Sequence, residues 1–454
     1  MKKSAFMFLS LILVMTMFLT ACGGNGNNKP AASPSPSPSA DASATPEESK
    51  APDPVKLRVF STFGGTDAAR EAFQKALDAF TTANPHVTIE NDTMSANDDS
   101  FRTKVNTDMT SGNEPDLLFY FVGADANEII SAGKVAPLDE ILAADPEWKN
   151  GFMPAALGFT KHADGKTYAL PLTGFYEGLF VNKKIFADAG VELPTDWEKL
   201  KTAVAAFKAK DIIPLAGPFD QSHYLIEHFV LSAAGPEGQA KGLANGIDPN
   251  WEKGFAAVKE LADLGAFPKD AGTIDLAMAS NYYAQGKAAM ILEGSWAVGG
   301  FVNADTKDAT VQDNTTVLPF PAIPGGAGTG KNLVGGFGTG FYLAQSTVDD
   351  AAKKDAAIAL LKHLTTKDSV KTIASANGGI PAVTGVEVDG LKQAQKDGLA
   401  MMEAADSVTS PVDSKVTPET FSELRANFKD VASGKVSPAE ALKRAEKIEL
   451  EYAK

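Results

Sequence analysis

The chain has 454 residues, with 57 acidic against 42 basic side chains and a net charge of −15. That balance argues against nucleic acid or anionic lipid as partners. A single cysteine excludes a disulfide framework, and the length is enough for two lobes.

The N-terminus opens with Lys2 and Lys3, followed by an apolar run from Ala5 to Leu19. The run is too short for a comfortable membrane span and fits a signal peptide. It closes on "LTAC" at residues 19–22, which resembles the lipobox of bacterial lipoproteins. That resemblance implies lipidation of Cys22 and a two-chain anchor in the membrane. Residues 23–54, rich in Pro, Ser and Ala, lack the large apolar side chains needed for a core and read as a tether. In semi-extended form this tether reaches on the order of 100 Å.

Strand and helix then alternate. "VKLRVFSTFGG" (55–65) predicts a strand ending in a glycine loop, and Ala69, Phe73, Leu77 and Phe80 mark one face of a helix. "HVTIEND" (86–92) is a second strand, Phe101 to Met109 a second helix, and "PDLLFYFV" (115–122) a buried strand. This order predicts an α/β fold with a largely parallel sheet. Further on, Pro171 breaks one strand and another is expected from about Leu179 to Asn182. Thr195 and Glu198 have the spacing of a capping box opening a helix through Phe207. Trp148, Trp197 and Trp251 have the setting of packing residues. "GKAAMILEGSW" (286–296) is different: Ala288 to Leu292 predicts a buried strand, and Trp296 follows it directly after a glycine turn.

Several tempting motifs fail on context. Gly325 to Lys331 matches most of a phosphate loop, but Asn332 stands where Ser or Thr is required and prolines 319, 321 and 324 precede it. It is expected to be a flexible loop. Tyr282 and Tyr283 read as helix packing rather than iron ligands. The five histidines form no metal pair, and Ser295 lacks the first glycine of a nucleophile elbow. No cofactor is expected. Paired carboxylates for glycoside hydrolysis depend on the fold, so a secreted carbohydrate-active enzyme stays open as an alternative.

Six segments occur in series: "FGGTDAAREAFQKALDAFTTANPHVTIE", "GNEPDLLFYF", "GKVAPLDEI", "DGKTYALPLTGFYEGLFVNKKIFADAGVELPTDWEKL", "YYAQGKAAMILEGSW" and "NGGIPAV". Together they resemble the extracellular family 1 solute-binding proteins of carbohydrate ABC importers, over roughly residues 55–385. The resemblance implies a two-lobe, type II periplasmic-binding-protein-like α/β fold with a ligand cleft and a multi-crossing hinge. Crossings are expected near Leu172-Thr173, Val317-Leu318 and Leu364 to Thr366. One lobe then comprises 55–172 plus 319–364, and the other 173–318 plus 365–454.

The resemblance also implies site residues. Trp296 matches the stacking platform and Tyr120 an aromatic cleft position, while Phe175 and Tyr176 lie just after the first crossing. Thr62, Phe63, His223 and Tyr224 match further contacts, Glu293 and Asp125 could accept from paired hydroxyls, and Phe337 could pack on the ligand. "GGIPAVTGVEVDG" (378–390) holds no tryptophan, which counts against a long maltodextrin-like ligand. The implied protein is a monomeric, lipid-anchored receptor that delivers a sugar to an ABC permease, with a tether suited to a Gram-positive surface. A receptor for a non-sugar solute is the nearer alternative.

Overall fold

The computed structural model describes residues 52–96, 99–303 and 305–452. The expected signal peptide, Cys22 and most of the tether lie outside the described residues.

Twelve strands occur among the described residues. They are β1 (Val55–Ser61), β2 (Val87–Thr93), β3 (Leu117–Phe121), β4 (Ala169–Leu170), β5 (Thr173–Asn182) and β6 (Ile213–Ala216), followed by β7 (Ala288–Gly294), β8 (Thr315–Leu318), β9 (Asn332–Gly336), β10 (Thr339–Leu343), β11 (Ile380–Pro381) and β12 (Ser407–Thr409). The first sheet has the order β2-β1-β3-β10-β4. Its β1, β2 and β3 are parallel, with Val55 opposite Val87 and Val59 opposite Leu117, while β10 enters antiparallel to β3. The amphipathic helix Arg70–Ala83 buries Phe73, Leu77 and Phe80 in the core behind this sheet, together with Phe119 and Phe341.

The second sheet runs β12-β9-β5-β7-β6, with β8 and β11 also on β5. Here the largely parallel expectation fails. Strand β5 is antiparallel to β7, β8, β9 and β11, and the parallel pairs are β6 with β7 and β9 with β12. Strand β5 also begins at Thr173 rather than near Leu179. All seven residues of β7 are buried, and a 3₁₀ turn, Ser295–Gly300, follows it.

The chain passes from the first sheet to the second between Leu170 and Thr173, and both sheets belong to one compact unit from Pro52 onward. The return expected at Val317-Leu318 falls instead at Phe337-Gly338, because β8 and β9 both pair with β5 before β10 joins β3. The Pro-rich loop between β8 and β9 folds back on the helix His223–Ala240 and stays with the second half. The last passage also comes later than Leu364 to Thr366. Val370 and Ile373, three apart on one helix face, and Val383 still pack in the first core, whereas the helix Gln393–Glu403 packs on β8 and β5.

The phosphate-loop lookalike is packed rather than free. The Ala327 N–H donates to Ala233 O at 2.7 Å, and a Cβ on Gly328 would lie 2.4 Å from Ser232 O. Its glycines permit that close backbone approach. The helix expected from the Thr195 capping box is instead capped by Asp196, whose carboxylate accepts from Lys199 N–H at 2.9 Å. An ionised cap also complements the positive helix end.

Trp148, Trp197 and Trp251 are buried, each indole N–H having a partner: Thr365 Oγ1 at 2.9 Å, Glu260 Oε2 at 3.3 Å and Gly238 O at 2.9 Å. Tyr283 is buried with its hydroxyl 2.9 Å from Thr315 Oγ1. No group of residues suited to a metal ion occurs among the described residues, and no described helix is long and apolar enough to cross a membrane.

Candidate functional site

Between the two sheets lies a cavity of about 480 Å³. On one side the carboxyl ends of β1, β2 and β3 and the loops after them supply Thr62, Phe63, Asp67, Ser95 and Phe121. Open α/β sheets bind ligands at this end. The opposite wall comes from β5, the first turns of the helix His223–Ala240, the end of β7 and the segment around Asp413.

Trp296 is half-buried and shares an aromatic row with Phe175 at 5.4 Å and Tyr224 at 6.0 Å between ring centroids. The row has a specific cause in the backbone. A Cβ on Gly294 would lie 2.2 Å from the Trp296 ring, so the indole folds back over a position that only glycine leaves open. Thr62, Phe63, His223 and Glu293 join these three residues on the wall. The ring of Phe63 is itself stacked on Phe73 and Phe119 at 4.5 and 4.8 Å, which leaves it only an edge for a ligand.

Four expected contacts sit elsewhere. Tyr120 and Tyr176 occupy the opposite faces of their strands, since successive strand side chains alternate. Tyr120 packs on Phe101, and Tyr176 is buried with its hydroxyl donating to Gln395 O at 3.3 Å. Their neighbours Phe121, Phe175 and Glu177 take the cavity face. Phe337 is buried in the first core, packed on Phe159 and against Gly174. Asp125 holds Arg102 in a bidentate pair, at 3.0 and 2.9 Å, off the cavity wall.

Sequence reasoning missed Arg102, Glu177, Glu227, Asp413 and Arg425, all of which line the cavity. Two carried a signal. Glu177 lies two residues beyond Phe175 on one strand, and Glu227 lies one helical turn beyond His223. Arg102 also bonds Asp413 at 3.0 Å, joining residues 311 positions apart.

The carboxyls lining the cavity are hard to ionise. Burial pushes Glu293 up to about 7, opposed by the Gly294 N–H at 3.1 Å, the Ser280 hydroxyl at 3.2 Å and the Trp296 indole. Burial likewise raises Glu177 to about 8 and Glu227 well above the carboxyl range, and it raises Asp67 to about 6. His223 is pushed down by burial and by the Arg425 and Arg102 guanidiniums, which keeps it neutral.

These shifts have a consequence for stability. Above the ordinary carboxyl pKa of 4.5 the unfolded chain releases protons that the folded wall still holds. Stability from this source is full below about pH 4.5 and is lost as pH rises toward about 8. The unliganded protein is expected to melt lower at about pH 8 than at about pH 5, and Glu293→Gln to flatten that slope. Melting curves across the interval check it, and a melting temperature that climbs with pH would contradict it.

The model of the bacterial extracellular solute-binding protein family matches residues 65–371. A probable sugar-binding periplasmic protein of Brucella suis is 28% identical over 226 residues, 48% of this chain and 51% of that protein. The multiple sugar-binding protein of Streptococcus mutans is 26% identical over 235 residues, 49% of this chain and 53% of its own length. The chain thus spans about half the length of these relatives. Among solved structures, a chitin oligosaccharide binding protein superposes with a TM-score of 0.79 at 25% identity, covering 88% of this chain and 99% of that one. The maltose/maltodextrin-binding domain MalE from Bdellovibrio bacteriovorus, at 20% identity and a TM-score of 0.70, shares the fold. With its two sheets, its cleft and a family model matched over most of its length, this chain belongs to the bacterial extracellular solute-binding protein family.

Proposed function

We propose that this protein captures a carbohydrate, a monosaccharide or short oligosaccharide, in the cleft and passes it to an ABC permease without altering it. The observation that carries this reading is the aromatic row Phe175, Trp296 and Tyr224 beside the polar side chains Asp67, Ser280 and Glu293. Sugars have C–H faces that pack on flat rings and hydroxyl rims that need such polar groups. The relatives named as sugar-binding support the same reading. Thr62, Phe63, His223, Tyr224, Phe175, Glu293 and Trp296 are the proposed contacts. Lipidation at Cys22, a monomeric state and display on the outer face of the cell membrane complete the proposal.

A thermal-shift screen against neutral mono- and oligosaccharides, amino acids and peptides tests it. A cognate sugar at 100 times its dissociation constant is expected to stabilise by about 2.7 kcal/mol. Stabilisation by amino acids or peptides with none by any sugar would replace the carbohydrate with a non-sugar solute. Conversion of an oligosaccharide during long incubation would make the protein an enzyme.

A further inference from the structure

The titratable groups of the cavity are unbalanced. Asp67, Glu177, Glu227, Glu293 and Asp413 line it against the guanidiniums of Arg102 and Arg425. Arg102 is committed to Asp125 and Asp413. Arg425 lies 5.6 Å over the ring of Phe421 and acts favourably on Asp413. Glu293 accepts from Ser280 and from the Gly294 N–H. Arg102 is thus bonded to Asp413, the Arg425 charge acts on Asp413 and His223, and Glu293 has neutral donors.

Glu177 and Glu227 are left. Each is 2% exposed, each lines the cavity, and each has its Oε2 buried without a hydrogen-bond partner. The nearest candidate cation is His228, with Nδ1 3.8 Å from Glu177 Oε2. That nitrogen lies 2.8 Å from Tyr224 O, to which it donates, and burial keeps the imidazole neutral. Glu177 and Glu227 instead hydrogen-bond each other and share protons, with only the more distant Arg102 charge acting on Glu227; either one ionises at low cost only if a cation comes beside it.

The pair also stands beside the stacking platform. In the β5–β7 ladder Glu177 is directly opposite Gly294, so the two positions share one face of the sheet. On that face the Trp296 ring covers Gly294. Phe175, two residues before Glu177 on β5, has the same orientation. A sugar ring laid on Trp296 therefore brings a ring substituent to the Glu177 and Glu227 carboxyls.

We propose that the ligand is an amino sugar, or a short saccharide with a free amine, stacked on Trp296 with its ammonium against Glu177 and Glu227. The proposal rests on the carbohydrate reading and names its class. The ammonium supplies the charge and the donors that the protein withholds, and it turns the pair from a shared-proton arrangement into an ion cluster. Neutral sugars offer hydroxyl donors without the charge.

Titration calorimetry with matched saccharides that differ only at carbon 2 tests this. The ligands are glucose, N-acetylglucosamine and glucosamine, with their β-1,4-linked dimers and trimers, beside the neutral panel above and spermidine as an amine without a sugar ring. An aminated saccharide is expected to bind tightest, about tenfold or more above its hydroxyl and acetamido counterparts, the scale of a hydrogen bond to a charged group. Glu177→Gln and Glu227→Gln are each expected to erase that advantage. Each should also melt no lower than the wild type without ligand, since each removes a buried ionisable group. A neutral saccharide binding tightest, or an amine advantage that survives both substitutions, overturns the proposal and leaves the carbohydrate reading standing. Spermidine binding tightest, or no saccharide binding at all, overturns both.

Discussion

Trp296→Ala is expected to weaken saccharide binding by roughly 2 kcal/mol, about 30-fold, the cost of truncating an aromatic anchor. Much of the indole faces the cavity, while its other contacts include Phe175, Tyr224, the bare α-carbon of Gly294 and the Glu293 carboxyl. The substitution removes the largest flat surface in the site and leaves β7, which is buried throughout, in place. Calorimetric affinity and melting temperature should therefore separate, with a large loss in the first and a modest one in the second. Gly294→Ala gives an independent handle on the same platform. Its φ of −95° suits any residue, so its effect is the collision of the new methyl group with the indole. A comparable loss of affinity is expected. A Trp296→Ala protein that binds sugar normally yet melts far lower would make Trp296 a packing residue.

The largest effect on stability is expected at Arg102. Its guanidinium forms the bidentate pair with Asp125, bonds Asp413 across the cleft and stacks 4.3 Å over Phe121. Burial opposes its charge, and Asp125 and Asp413 more than restore it. Arg102→Ala strands the Asp125 carboxylate, only 3% exposed, and removes the tie to Asp413. Losing one partner of a buried pair costs on the order of 3 kcal/mol, most of it the uncompensated charge left behind. Urea unfolding of Arg102→Ala against Arg102→Lys measures this. The lysine keeps the charge without the planar fork and should recover part of the loss. Small-angle scattering of the unliganded alanine variant should show a more open molecule, since Arg102 ties the two sides of the cleft. Equal unfolding midpoints for wild type and Arg102→Ala would mean that Asp125 and Asp413 find other partners.

What could be read from the residues was mostly local. The strand at Ala288 to Leu292, the helix face of Phe73 and Leu77 and the distinct setting of Trp296 all follow from short-range patterning, and each stands in the structure. Two of the four misplaced residues share one cause. Tyr120 and Tyr176 were reached by position along a motif, but a strand changes face at every residue, so an offset of one moves a side chain from cavity to core. Applying that period would have exchanged them for Phe121 and Glu177. Other features had no local trace. Arg102 and Asp413 meet only once the chain has been folded across 311 positions. Strand directions around β5 depend equally on which distant segments reach it, and the excess of carboxyls in the cavity emerges only when both walls are assembled.

The order of strands also bears on when the molecule can assemble. In the first sheet, β3 is flanked by β10, and the Tyr342 hydroxyl bonds Phe121 O across 221 positions. In the second, β5 waits for β7, β8 and β9 before it has neighbours on both edges. Neither half can close while the ribosome is still making its middle, and such long-range pairing is slow to form. A chain with this wiring stays threadable through much of its synthesis. That is the condition a polypeptide needs to cross a membrane before it folds, so delayed assembly would suit a member of an extracellular protein family.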